Sequence, residues 1–174
     1  MTSKEFFNKI VNGKDDFLQI FLDILKEQKI RFCVIGGLGV NAYAEPVVSL
    51  DLDVVVVAQK IEALILVLKN KFKIEEFENS INLSSKNSQL RIQIQKDLRY
   101  QMFLKGIKKK DVLGYKLPVA SVENILQGKV WAAMDEARRP SKRQKDLADI
   151  MRLLEINKGL MKLLPEKLKR QFKF

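Results

Sequence analysis

One stretch constrains this chain more than any other: Phe32 to Ala58, FCVIGGLGVNAYAEPVVSLDLDVVVVA. It reads as a strand, a Gly-Gly turn, a short helix, and a second strand that opens with Asp51 and Asp53. Side chains alternate across a strand, so residues two apart face the same side, and these carboxylates stand next to one another where the strand leaves the loop. Like charges held that close call for a cation.

The remaining chemistry is bounded by what the chain lacks. With no histidine, a Ser-His or Cys-His nucleophile, a His-ligated zinc and a histidine-dependent RNase are excluded. Carboxylates, lysines, hydroxyls or a hard metal ion are left. The single cysteine, Cys33, lies in an apolar strand, which predicts a buried thiol and no disulfide. Apolar runs such as Val54 to Ala58 are too short to span a bilayer, and the start MTSKEFF lacks a signal peptide's apolar stretch, so a cytoplasmic protein without a membrane partner is expected.

At 174 residues and 47% hydrophobic, the chain is expected to be one domain with a genuine core. Within it we distinguish N-terminal helices (1–30), a sheet core (31–119) and a helical segment (120–174). Helical spacing predicts helices over Ser3 to Val11 and Asp15 to Gln28, with Gly13 as a break and Asp15 as the N-cap. Phe32 to Ile35 is a buried strand, Leu38 to Ala44 a short helix ended by Pro46, and Ile61 to Leu68 a helix. Strands follow at Lys73 to Glu78, Ile81 to Ser84 and Leu90 to Gln95; in the last, Arg91, Gln93 and Gln95 share one face. Lys105 to Asp111 reads as a basic loop and Gly114 to Val119 as a brief strand. A helix from Ser121 through Arg139 precedes one opened by Pro140, and a last helix runs from about Leu160 to the end. Trp131 and Met134 are placed in the core.

The formal charge of +11 is uneven: residues 1–85 hold ten Lys/Arg against twelve Asp/Glu, residues 86–174 twenty-two against nine. A polyanion is implied, RNA first. Arg138, Arg139, Lys142, Arg143 and Lys145 form a run without an acid, dense enough for an RNA-phosphate patch but without aromatic interleaving for base stacking.

Gly37-Leu-Gly39-Val-Asn-Ala42 formally matches a dinucleotide fingerprint. Position argues against that reading, because Pro46 cuts the helix short and the acids open the second strand instead of closing it. Gly36-Gly37, a short helix, then Ser49-Leu50-Asp51-Leu52-Asp53 and an apolar strand resembles the nucleotidyltransferase superfamily in its minimal, toxin-antitoxin-associated forms. The segment LPVASVENILQGKVWAAMDEARRPSKRQKDLADIMRLLE is similar to the helical part of bacterial nucleotidyltransferase-like proteins.

That resemblance implies an α/β (α+β) fold with a mixed sheet flanked by helices. It implies that Gly36, Gly37 and Gly39 cradle a triphosphate, with Ser49 close by, and that Asp51 and Asp53 hold Mg²⁺ or Mn²⁺. Lys129 and Lys142 are singled out as phosphate contacts, Lys142 alternatively pairing with Asp146. The family's third carboxylate falls on the strand where this chain has Gln93, a weak metal ligand and no base; Asp97 would substitute if a bulge re-aimed it. The implied function is metal-dependent transfer of a nucleoside monophosphate from an NTP to a hydroxyl of RNA, such as tRNA, or of protein, in a toxin-antitoxin or defence setting. The alternative is a catalytically degenerate fold that binds RNA or a partner protein.

Overall fold

The computed structural model describes residues 1–11 and 15–172, so the expected break at Gly13 lies outside the described residues. Helix α1 (Ser3–Ile10) starts in a capping box: Thr2 Oγ1 accepts from the Glu5 N–H, and the Glu5 carboxylate accepts from the Thr2 N–H. Helix α2 (Phe17–Glu27) buries Phe17, Leu18, Phe21, Ile24 and Leu25, the stripe its sequence spacing dictates. Its N-cap is Asp16, one residue beyond the expected Asp15, because Asp16 Oδ1 accepts from the Gln19 N–H at 3.0 Å.

The organising stretch follows as β1 (Phe32–Ile35), α3 (Gly36–Asn41) and β2 (Asp51–Val56). Helix α3 begins at the glycines themselves, two residues before the expected Leu38, and ends at Asn41, whose side chain turns to the backbone of Val47. Next come α4 (Ile61–Leu68), β3 (Lys73–Glu76), β4 (Ser80–Ser85), β5 (Ser88–Gln95), β6 (Lys108–Val112), β7 (Tyr115–Val119), α5 (Val122–Met134), α6 (Pro140–Ile156) and α7 (Glu166–Lys169).

Further expectations are corrected. Lys108, Lys109 and Lys110 lie in a strand, not a loop, since pairing with β7 satisfies their backbone and an edge strand tolerates lysines. Helix α5 stops at Met134: Asp135 is extended, and Arg139, before Pro140, is extended as pre-proline residues are. The expected last helix is a 3-10 turn over Lys158–Leu163 and then α7, interrupted because Pro165 has a fixed φ and no N–H.

One mixed seven-stranded sheet results, in the order β3-β4-β5-β2-β1-β7-β6. Strand β2 runs antiparallel to β1 and parallel to β5, with Asp51 opposite Arg91 and Asp53 opposite Gln93. Strand β5 shows the alternation its sequence predicts: Leu90, Ile92 and Ile94 are buried, while Gln93 and Gln95 are half-buried on the other face. The buried side chains form one cluster that includes Phe21, Leu52, Ile92 and Phe103. Each such large apolar side chain contributes about 1.5–3 kcal/mol by leaving water. Trp131 packs among Tyr100 and Phe103, whereas Met134 is exposed at the helix end, against expectation.

Candidate active site

Asp51 and Asp53 do face the same side of β2, at the end that the chain enters from the 42–50 loop. Asp53 packs directly on the glycine turn. A Cβ on Gly36 would stand 2.0 Å from Asp53 Oδ2, and Gly36 has φ +66°, so both space and backbone demand glycine. Gly37 is open, its nearest neighbour being Ser49 Oγ at 3.9 Å from an added Cβ. Gly39 belongs elsewhere: it is buried inside α3, and a Cβ there would meet Ile125 Cδ1 at 2.5 Å. It therefore serves the packing of α3 on α5, not the expected phosphate cradle.

Ser49 braces the first acid. Its hydroxyl accepts from the Asp51 N–H and donates to the Asp51 carbonyl, both at 3.2 Å. Across the sheet, Arg91 Nε donates to Asp51 Oδ1 at 2.8 Å, and Lys142 Nζ on α6 lies 3.8 Å from Asp51 Oδ2. Lys142 thus faces Asp51 and not Asp146, its alternative partner in sequence.

Asp146 is 2% exposed and is taken by other cations. Lys129 Nζ sits 3.0 Å from Asp146 Oδ1 and 2.7 Å from Asp149 Oδ2, and Arg138 Nε donates to Asp146 Oδ2. Burial alone would push the Lys129 ammonium toward neutrality, but Asp149 and Asp146 outweigh it and hold its pKa above the ordinary lysine value. The group expected to meet phosphate is instead committed to two carboxylates, although it still borders the site. Arg152 continues the network: it donates to Asp149, to Asn41 Oδ1 at 2.8 Å and to the Glu45 carbonyl. The loop ahead of β2 is thereby tied to α6.

Burial pushes the Asp53 carboxyl up to about 6; Lys129 pulls it down, Asp51 adds to the rise, and Lys142 and Arg138 pull it down again. Asp97 does not join the pair. The β2–β5 register runs from Asp51/Arg91 to Val55/Gln95 without the bulge that would re-aim Asp97. Asp97 instead caps the 3-10 turn Leu98–Leu104 and binds Arg99 through both carboxylate oxygens, which outweighs its burial and lowers its pKa. Of the basic run, Arg138 and Lys142 face Asp51 and Asp53 and Lys145 borders the cleft beside them, while Arg139 bonds Ser141.

The acids stand at a seam between hollows. A cleft of about 270 Å³ opens between α3, the 42–50 loop and α6, lined by Gly37, Ser49, Lys142 and Lys145 as well as both acids. Five basic side chains border it (Lys129, Arg138, Lys142, Lys145 and Arg152) against three acidic ones. On the sheet side, a hollow of about 340 Å³ is lined by Asn82, Arg91 and Gln93 with the same two acids. Sequence reasoning did not single out Arg91, Arg152, Asn41, Asn82 or Asp149. For Arg91 a signal existed: on the strand that carries Gln93 it is two residues earlier, hence opposite Asp51 once Gln93 is opposite Asp53.

The donor set suits one kind of metal. Among the described residues no group of three or more His, Cys, Asp or Glu side chains gathers as a metal cage. Two adjacent carboxylates with the Gln93 amide nearby fit Mg²⁺ or Mn²⁺, which keep several waters and share their ligands with substrate phosphates. The raised Asp53 pKa fits as well, since a cation there would offset the cost of ionising a buried carboxyl, and of doing so beside Asp51.

No family model matches the sequence, and the search of curated proteins returns no match. The architecture does match solved structures. The lincosamide antibiotic adenylyltransferase LnuA, bound to lincomycin, superposes with TM-score 0.55 at 17% identity over 82% of this chain and 99% of that one. ANT(2″)-Ia in complex with adenylyl-2″-tobramycin gives TM-score 0.61 at 12% identity over 90% and 97%. An antigenic nucleotidyltransferase-like protein from Paracoccidioides brasiliensis gives TM-score 0.53 at 15% identity over 88% and 78%. The chain therefore has a nucleotidyltransferase-like α/β fold. Among the described residues no helix is long and apolar enough to cross a membrane.

Proposed function

We propose that this protein transfers a nucleoside monophosphate from an NTP to a hydroxyl, with Asp51 and Asp53 as the metal-binding carboxylates. The observation that carries the reading is their position at the seam between a cationic cleft and a second, sheet-lined hollow, as a two-substrate reaction requires. Lys142 and Lys145 bind the triphosphate by charge, and the open Gly37 lets it approach the backbone. Helix α3, with six residues, is too short for its dipole to add much, so these side chains carry the anion binding. A bound Mg²⁺ or Mn²⁺ would supply charge neutralisation at the phosphates. The acceptor oxygen forms a bond to the α-phosphorus, the α–β anhydride breaks, and pyrophosphate leaves with the electron pair. Gln93 can orient the attacking hydroxyl but cannot take its proton, which passes to solvent. The sequence reading supplies RNA or protein as acceptor classes and a toxin-antitoxin or defence setting.

The test is incubation with each labelled NTP, Mg²⁺ or Mn²⁺, and cell extract as acceptor source. Metal-dependent label transfer that Asp51→Asn and Asp53→Asn abolish is expected; no transfer in any combination would sink the reading. Gln93 favours one competing reading, a fold that binds RNA or a partner without catalysis. It expects RNA affinity that falls steeply with salt and no NTP turnover.

A further inference from the structure

The sheet-side hollow has a chemistry of its own. Cross-strand pairing sets Asp53, Gln93 and Asn82 in one row and Val55, Gln95 and Ser80 in the next. The face that bears Asp53 therefore continues outward across β5 and β4 as amides and a hydroxyl. Ile81, Leu83, Ile92 and Ile94 take the opposite, fully buried face, so this polar one is left half-exposed. It floors the 340 Å³ hollow and an adjoining one of about 620 Å³ that shares Gln93 and Arg138 with it.

Three observations describe what such a floor takes. First, its charge balances: Asp51, Asp53, Asp97 and Asp135 are matched by Arg91, Arg99, Arg138 and Lys142, unlike the cationic cleft on the α6 side. The arginines are engaged as well, Arg91 with Asp51, Arg99 with Asp97 and Arg138 with Asp146. A nucleic acid gains affinity by pairing phosphates with uncommitted cations and releasing counterions, and here the engaged arginines leave only Lys142, which also borders the cationic cleft. Second, the one tryptophan in its wall is already packed on Phe103 and Tyr100 with Arg99 over its ring, so it makes a poor platform for an unpaired base. Third, Asn82 lines the hollow with its Oδ1 sealed inside the protein and without a partner, so the N–H end of its amide is the one left to a ligand. It borders the hollow that Asp51 and Asp53 also line.

We infer that the acceptor is a small, net-neutral, hydroxyl-rich molecule lying on Ser80, Asn82, Gln93 and Gln95, with one hydroxyl presented beside Asp53, and not a nucleic acid. The Gln93 oxygen and the second lone pair of Gln95 Oε1, which already accepts from the Asp97 N–H at 3.1 Å, receive its hydroxyl protons, and the amide N–H groups meet its oxygens, a pattern that needs no net charge. The inference rests on the transfer reading for its chemistry, but the class of ligand on the floor can be measured without turnover.

The measurement follows the side-chain amide NMR signals of Asn82, Gln93 and Gln95. One arm adds the neutral disaccharides sucrose, trehalose and lactose, a second adds a short single-stranded RNA, and a third adds Mg²⁺ with ATP, watched at the backbone amides of Gly37 and Ser49. Saturable shifts of the three side-chain amides by a disaccharide are expected, weakened about tenfold by Ser80→Ala and by Asn82→Ala. Thermal melts of those variants separate a lost contact from a lost fold, and the disaccharide-against-RNA comparison in the parent stands regardless. RNA moving these amides while no disaccharide does, or no ligand moving them, overturns the inference. A silent third arm would count against the transfer reading and leaves the first two arms to decide the ligand class.

Discussion

Gly36 and Asp53 behave as a single unit at the residue scale. Gly36→Ala drives a methyl into the Asp53 carboxylate and also forces an alanine to φ +66°, so we expect at least about 2 kcal/mol of destabilisation by urea denaturation. Gly37→Ala has open space and gains helix propensity, so it should be neutral or stabilising by up to about 1 kcal/mol. Equal damage from both would refute the contact. Asp53 also sets a pH signature in metal-free protein. Its folded pKa of about 6 lies above the ordinary 3.8, so between those values the folded state keeps a proton that the unfolded state has released, and stability falls as pH rises. Below pH 4 the group makes no difference; above pH 6 the loss is complete. Melts of the parent and Asp53→Asn should coincide near pH 4 and separate above pH 6 in favour of the variant, on the order of 2 kcal/mol, with Mg²⁺ narrowing the gap. The Asp51/Asp53 pair was legible in the sequence because a period of two is local. The partnership of Asp51 with Arg91 spans 40 residues and depends on parallel pairing, which no local pattern carries.

Helices α5 and α6 are the scale at which the buried ion network acts. Lys129 is 11% exposed and neutralises two carboxylates, so Lys129→Met leaves acids short of a partner and should cost about 3 kcal/mol in urea denaturation. The double variant Lys129→Met/Asp146→Leu should cost less than the sum of the singles, because the uncompensated charge goes with its partner. Additive losses would show that the pair is not coupled. Helix starts and strands were legible to within a residue where a cap or an alternation marked them, as at Ser121, whose hydroxyl accepts from the Asn124 N–H. Lys142 was placed on the right helix as a phosphate contact or a partner of Asp146; i,i+4 spacing finds Asp146, whereas tertiary packing turns the lysine to Asp51. The β6 lysines misled for a related reason: composition suggested a loop, and pairing with β7 decided otherwise.

Across the whole molecule the basic residues do not make one surface. Lys142, Lys145 and Arg152 of α6 border the cleft, whereas Lys108 and Lys109 lie on the outer strand β6 at the far end of the sheet from β3. The latter position is where charge discourages one sheet from adding to another. Lys108→Val with Lys109→Val should therefore produce concentration-dependent association in light scattering, and a variant that stays monodisperse would deny that role. Net charge in the sequence led to the expectation of a polyanion and was silent on how the charges are distributed, because that depends on strand order. The same order ranks events in time. Val34 in β1 pairs with Val119 in β7, and β2 borders β5, so the inner strands keep an unpaired side until much later residues are made. At roughly 5–20 residues per second, the 85 residues between Val34 and Val119 take about 4–17 s to synthesise. For that interval the backbone edge of Phe32–Ile35 that will meet β7 is unpaired, so the nascent chain carries an open strand edge that the finished protein does not.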